Sequence, residues 1–277
     1  MTVHSDWGDW LPNAVAGADP DGLDLWYLGC NGFVLKAADG TTVFIDPYLG
    51  TGDPPRTVRM VPIPFDPEDV SEADAVLATH EHSDHVDGPS QAPILANTGA
   101  TFYGPDASVA VTRSEGWTEQ WDVAADQIVA VAAEETFELG ELTVTVKPAN
   151  DPDAERPVAY VIESGGTTFV HGGDARPGQF ETIGEEYDVD AAALAFGSTG
   201  MIPDKETREP KRTTWYNDEN MIVEAANELR TDRLLPTHWD MWKGLSADPT
   251  VLHRHANSFP YPEEISVIEI GDRLSLP

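Results

Sequence analysis

One cysteine, five lysines and the absence of any long apolar run mark this 277-residue chain. A lone Cys30 has no partner for an internal disulfide, and it excludes a structural zinc site of the multi-cysteine kind. No window approaches the roughly 18–20 apolar residues of a membrane span, so a membrane is not an expected partner. The opening "MTVHSDWGDWLPN" has neither a basic n-region nor an apolar h-region, so it does not read as a signal peptide, and the expected location is cytoplasmic. Sixteen Lys plus Arg stand against 49 Asp plus Glu, a net charge of −33. Phosphate backbones need a basic face, so nucleic acid is not an expected partner either. The acids are spread along the whole chain, where they repel one another at low salt. High ionic strength shortens the Debye length to a few Å and relieves that repulsion. The composition therefore reads as halophilic. The thermal midpoint is expected to fall when salt drops from molar to about 0.1 M; a flat midpoint over that range would contradict the reading.

What remains is ample for a core, since 40% of the residues are hydrophobic. There are no repeats and no low-complexity linkers, so residues 1–277 are expected to form one domain. "LDLWYLG", "GFVLKA" and "TTVFIDP" read as consecutive strands with Gly-containing turns between them. "ADAVLATH", "ATFYGP", "GELTVTVKPAN", "VDAAALAFG" and "DRLLPTH" read as further strands, and "EISVIEIGDRLSL" as a last one. "PVAYVIESGGTTFVHGGD" reads as a hairpin turning at Gly165 and Gly166. The clearest helix runs from about Asp218 to Leu229, with Met221, Ile222, Ala225, Ala226 and Leu229 at helical spacing and Asn217 or Asp218 as N-cap. Strands with interspersed helices predict a layered α/β domain.

The chemistry concentrates at strand ends. "AVLATH" ends at His80, "RLLPTH" at His238, and "TTFVHGGD" three residues before Asp174. In "THEHSDHVD", His80 and His82 are two apart, so in extended backbone both imidazoles face one way and can chelate one metal. Asp84 and His85 follow at a turn and can face a second metal. Imidazole with carboxylate suits zinc, iron or manganese rather than calcium or magnesium.

This H-x-H-x-D-H run resembles the signature of the metallo-β-lactamase superfamily, whose other landmarks appear in order along nearly the whole chain. The resemblance implies a four-layer αββα sandwich with a site for one or two divalent metals at one edge, between the sheets. It implies that Asp46 in "VFIDP" supports that site from behind the ligands, that Asp174 in "HGGD" bridges two metals, and that His238 in "PTHWD" is the last ligand. The superfamily places a further histidine after the mid-chain strand, as "PAxH". Here "KPAND" has Asp151 at that place. A carboxylate there is harder, which favours manganese or iron over two zincs.

"WGDWL", "LWYLGCNGFVLKAADGTTVFIDPYLGTG", "GGTTFVHGGD" and "PTHWDMWKGLSADP" are similar to the L-ascorbate-6-phosphate lactonase branch, in which manganese is the usual metal. That similarity implies a hydrolase that opens a lactone or related ester of a small sugar acid, phosphorylated in that branch, by attack of a hydroxide held by metal. Asp84 would orient the hydroxide and take its proton. The family suggests a homo-oligomer. The alternatives are a phosphodiesterase of the same fold, a di-iron oxidoreductase, and a catalytically silent metal-binding protein. A phosphorylated substrate needs cations. Lys211, Arg212 and Lys243 flank the expected metal loops, and Arg56 and Arg59 follow a stretch able to form a flap. Trp215, Tyr216, Trp239 and Trp242 are candidates to line a pocket, although core packing is the commoner role of tryptophan. His171 reads as a strand-end histidine beside the site, His253 and His255 as surface residues, and Cys30 as a small buried packing residue.

Overall fold

Side-chain alternation along the strands decides the architecture. The structure, a computed structural model, describes residues 4–197 and 199–276. In chain order the strands are β1 (Leu23–Gly29), β2 (Gly32–Lys36), β3 (Thr42–Ile45), β4 (Ala75–Leu77), β5 (Thr101–Gly104), β6 (Ile128–Ala130), β7 (Thr136–Leu139) and β8 (Leu142–Pro148). They continue with β9 (Val158–Ser164), β10 (Thr167–His171), β11 (Ala191–Ala195), β12 (Gly200–Pro203), β13 (Pro210–Thr213), β14 (Arg233–Thr237), β15 (Glu264–Ile265) and β16 (Arg273–Leu276). The α-helices are α1 (Trp10–Ala16), α2 (Gly88–Thr98), α3 (Asp106–Ser114), α4 (Trp117–Trp121), α5 (Glu181–Glu186), α6 (Glu219–Leu229) and α7 (Leu252–Ala256). One sheet has the order β16-β1-β2-β3-β4-β5-β6, and a second has β15-β14-β11-β10-β9-β8-β7. On β1, Leu23, Leu25 and Tyr27 face the second sheet and meet Val144, Val146, Tyr160, Ile162 and Phe169 in a dry layer between the sheets. The intervening Trp26 and Leu28 face outward, under α2 and its neighbours. On the second sheet Ala192, Leu194 and Leu234 face outward, under α6 (Glu219–Leu229). Two sheets each buried on both faces, with helices outside, make the αββα sandwich.

The helix expected over 218–229 is present as α6, capped by the Asp218 carboxylate accepting from the backbone N–H of Asn220 and Met221. Its Ile222, Val223, Ala225, Ala226 and Leu229 are buried, each large side chain contributing about 1.5–3 kcal/mol. The run "EISVIEIGDRLSL", expected as one strand, is instead two. β15 pairs with β14 in the second sheet and β16 with β1 in the first. The chain crosses between the sheets through Ile268, and Gly271 turns it with a φ of +88°.

Each sheet is antiparallel at one end and parallel at the other. β3, β4, β5 and β6 are parallel, as are β10, β11, β14 and β15. The carboxyl ends of β3, β4, β10 and β14 therefore open on the same edge, where open α/β sheets place their sites. The sheets are tied together there: Val158 N donates to Thr79 O (2.9 Å) and Tyr160 Oη to Ala78 O (2.9 Å). Among the described residues no helix is long and apolar enough to cross a membrane.

Candidate metal centre

After β4 the chain bends from Thr79 through His82, where extended backbone was expected, and then tightens into a turn. His85 N and Val86 N both donate to His82 O, at 2.9 and 2.8 Å. His80 and His82 project together, with His80 Nε2 2.9 Å from His82 Nδ1, and the turn swings Asp84 and His85 round to the same space. Gly173, at φ +57°, lets the loop after β10 lie against this segment, since a Cβ there would fall 2.8 Å from Thr79 Oγ1. Asp174 is thereby placed centrally. Its Oδ2 lies 4.0 Å from His80 Nε2, and its Oδ1 lies 3.4 Å from His85 Nε2 and 3.8 Å from His238 Nε2. Asp151, from the loop after β8, brings Oδ2 to 3.7 Å from His80 Nε2. His238 follows β14, with Nε2 3.3 Å from Asp84 Oδ2.

His80, His82, Asp84, His85, Asp151, Asp174 and His238, scattered over 159 positions of sequence, thus converge in one cluster. Asp174 is common to the His80–His82 half and the His85–His238 half. Partners behind the cluster set the ring orientations. Asp46 Oδ2 lies 2.7 Å from His85 Nδ1, which leaves His85 Nε2 facing Asp174. Asp46 also accepts from Thr79 N (2.8 Å) and Thr79 Oγ1 (2.7 Å). His82 Nε2 lies 3.1 Å from the Asp153 carbonyl oxygen, leaving Nδ1 toward His80. Such partners fix tautomers in metal sites.

The donor set fits a transition metal. His85 Nε2 and Asp151 Oδ2 are buried and make no hydrogen bond, although each points into a polar cluster. Orphaned buried polar atoms carry a desolvation cost of about 1–3 kcal/mol each unless something binds them. Burial, with His85 beside it, pushes the His80 imidazole down to about 3, so it is neutral and ready to coordinate. Burial acts to raise the Asp84 carboxyl, but His238 and His85 hold it well below the usual range. Burial likewise works against the charge on Asp174, and His85 and His238 outweigh it. Burial pushes Asp151 up to about 6, helped by Asp174. For His85 burial acts downward, yet Asp46 and Asp174 raise it well above its ordinary value. Protons on Asp151 and His85 therefore compete with a metal ion. Metal affinity is expected to weaken as pH falls from 8 through about 6, which a chelator-competition titration over pH 5–8 measures. A pH-independent affinity would contradict this donor set.

The cluster floors a cleft of about 530 Å³, whose walls include Tyr48, Trp215, Tyr216 and Trp242. Tyr216 stacks on His238, with ring centroids 4.1 Å apart and 21° between planes. Of the cations expected at the cleft, four lie outside its lining. Lys211 is exposed and paired with Asp204, and Arg212 and Lys243 are exposed outside the lining. Trp239 packs on the hydrophobic layer under α6 rather than in the cleft. Arg59 spends its guanidinium on the carbonyls of Tyr48, Val61 and Pro62. The lining cations are Arg56, as expected, and Lys205, which was not, from loops joined by Asp53–Arg208 at 3.7 Å. Arg56 lies over Trp215 at 5.0 Å, and its buried Nε has no partner. Neither Arg56 nor Lys205 makes an ion pair among the described residues.

His171 is buried beside the site, with Nε2 2.8 Å from the Asn31 carbonyl oxygen. His253 is exposed and His255 half-buried, its Nδ1 3.0 Å from Asn220 Oδ1. Two residues next to the cluster carry no obvious signal in the sequence. Asn31 Nδ2 donates to Asp174 Oδ1 at 3.2 Å, while its Oδ1 accepts from Thr237 Oγ1 at 2.7 Å. Cys30 is buried as expected, but its Sγ lies 3.3 Å from His238 Nε2. The only hint was their position in "GCNG", at the end of a buried strand.

The profile of the family described as "Beta-lactamase superfamily domain" matches residues 41–239. The chain is 26% identical over 296 residues to a protein of Escherichia fergusonii named "Probable L-ascorbate-6-phosphate lactonase", covering 90% of this chain and 79% of that one. In fold it is similar to Igni18, a metallo hydrolase from Ignicoccus hospitalis, with a TM-score of 0.67, 22% identity, and coverage of 91% of this chain and 97% of that one. It is also similar to CmlA, a diiron β-hydroxylase from Streptomyces venezuelae, with a TM-score of 0.64, 18% identity, and coverage of 93% of this chain and 55% of that one.

Proposed function

Because this chain belongs to the metallo-β-lactamase superfamily and is a metal-dependent hydrolase of that fold, we propose that it opens a lactone or related ester of a small anionic sugar acid. The observation that carries the reading is the seven-residue donor cluster at the floor of a small aromatic cleft that holds two unpaired cations. Similarity to named lactonases over 90% of the chain supports the choice of bond. His80, His82, Asp151 and Asp174 would hold one divalent metal, and Asp84, His85, Asp174 and His238 a second. When bound, such a pair supplies a water of lowered pKa and a Lewis acid for the carbonyl oxygen.

The chain's own groups do the rest. Asp84 is kept ionised by His238, so its carboxylate orients the attacking water and accepts its proton. Asp46 holds the His85 ring, and Asn31 holds Asp174. Trp215, Tyr216 and Trp242 exclude bulk water and offer flat faces to a sugar ring. Arg56 and Lys205 take the anionic substituent. In so acidic a protein, two cleft cations without carboxylate partners are the groups that discriminate a phosphorylated substrate from a neutral one. The acidic surface disfavours a nucleic-acid phosphodiester.

A hydrolysis screen over sugar lactones and phosphodiesters tests this proposal. Lactone opening is the expected result; phosphodiester cleavage without lactone opening would overturn it. Arg56→Ala is expected to raise KM for a phosphorylated lactone roughly 10- to 100-fold, the worth of one charge-assisted hydrogen bond, with little change for the unphosphorylated lactone. Equal effects on both substrates would remove Arg56 from substrate recognition.

A further inference from the structure

We propose that Cys30 is itself a metal ligand, its sulfur completing the half of the centre that contains Asp84 and His238. The inference rests on the metal centre proposed above and adds a donor to it. Cys30 Sγ lies 3.3 Å from His238 Nε2 and 4.0 Å from Asp84 Oδ2, and those two atoms are 3.3 Å apart. Bonds of about 2.3 Å to sulfur and about 2.0–2.1 Å to nitrogen or oxygen at a tetrahedral centre put donors roughly 3.3–3.6 Å from one another. The triangle is therefore close to one face of such a coordination shell. His85, whose buried Nε2 has no hydrogen bond, shares His238 with this triangle: the ligand atoms of His85, Asp174 and His238 lie within 4.8 Å of one another.

The backbone also aims the sulfur. Cys30 has a φ of 57°, uncommon for a residue other than glycine, in the tight turn between β1 and β2. Its carbonyl accepts from Tyr27 Oη (2.9 Å) and from His238 N (2.9 Å), so thiol and imidazole are anchored to each other through the main chain. A residue serving only to fill space needs no such link.

A sulfur donor changes which metal is favoured. Thiolate selects zinc or iron over manganese. The His80–His82 half has the carboxylate of Asp151 instead, so the two halves differ in hardness. Cys30 would bind as thiolate, releasing its proton to solvent as the metal enters.

The test uses the full chain in high salt, stripped by chelator and reloaded with cobalt(II). Because Cys30 is the only cysteine, a thiolate-to-cobalt charge-transfer band in the near ultraviolet has one possible origin. The wild type is expected to show that band. Cys30→Ser and Cys30→Ala are expected to lose it while keeping the visible bands of cobalt bound by nitrogen and oxygen. Visible bands without the charge-transfer band in the wild type would overturn Cys30 ligation and leave the metal centre standing. No cobalt uptake by the wild type would overturn both. The wild-type spectrum decides even where a variant misfolds.

Discussion

Asp84→Asn is expected to lower kcat/KM for lactone hydrolysis by roughly 10³-fold, within the 10²–10⁴ range for a positioned acid–base group, while far-ultraviolet circular dichroism stays that of the wild type. The amide keeps the size and shape of the carboxylate but cannot take a proton from the attacking water. It also removes the negative charge that faces His238 Nε2 at 3.3 Å. Asp84 is not part of any of the three hydrophobic layers, so the fold does not depend on its charge. Comparing metal content and rate separates its two proposed roles. A variant that binds metal normally and is slow identifies Asp84 as the base, whereas one that has lost half its metal identifies it chiefly as a ligand. Unchanged kcat/KM would remove Asp84 from the mechanism.

Asp46→Ala is expected to produce the largest loss of stability, about 3–5 kcal/mol in the metal-free protein, the cost of breaking one partner out of a buried charged pair. Asp46 is fully buried and accepts from Thr79 N, Thr79 Oγ1 and His85 Nδ1, all within 2.8 Å. Alanine takes the carboxylate acceptor from all three, leaving Thr79 N without a partner and Thr79 Oγ1 and His85 Nδ1 with only neighbouring side chains, His80 Nδ1 at 3.0 Å and each other at 3.3 Å. The released His85 ring should also weaken metal binding about 10- to 100-fold. The pH dependence has a definite sign. Burial acts to raise the Asp46 carboxyl, but His85 brings it below its ordinary value, while Asp46 and Asp174 raise His85. The Asp46 contribution is present above its unfolded value of about 3.9 and is lost as pH falls through the lower folded value. The His85 contribution is complete below its unfolded value of about 6.5 and is lost as pH rises through the higher folded value. The difference in thermal midpoint between wild type and variant should therefore be largest from about pH 4 to 6.5 and shrink on either side. A difference that grows steadily above pH 8 would contradict the pairing.

Elements with a strong apolar pattern were easy to read. The apolar runs of β1, β2, β9 and β10, the period-2 run of β8 and the apolar stripe of α6 are visible in the sequence because the strands are buried on both faces and the helix on one. α2 is harder to see. Asp87 caps it and Gly99, at φ +77°, ends it, but Pro93 lies inside and blurs the period. β15 and β16 were fused because sequence alone does not say where an apolar run changes sheets. In the site, the residues that converge were legible because imidazoles and carboxylates at strand ends have a distinctive spacing. Asp151, where a histidine is usual, still reaches His80. Cys30 and Asn31 were not legible, because their role depends on the β1–β2 turn lying beside His238 and Asp174, residues more than 140 positions away. The same is true of Lys205, whereas Arg56 was already marked by the flap-like stretch before it. Being near a metal loop in sequence drew attention to Lys211, Arg212 and Lys243, but the crossing of two loops over the cleft decides which cations enter it.

The most direct measurement of the metal centre is elemental analysis of the protein purified in high salt, beside the same measurement on His80→Ala/His82→Ala. The expected result is about two equivalents of a transition metal per chain, with substantial loss of metal and of hydrolysis in the double variant. A wild type that hydrolyses lactones with no bound transition metal, or a double variant that keeps full metal and full rate, would contradict the assignment of these residues.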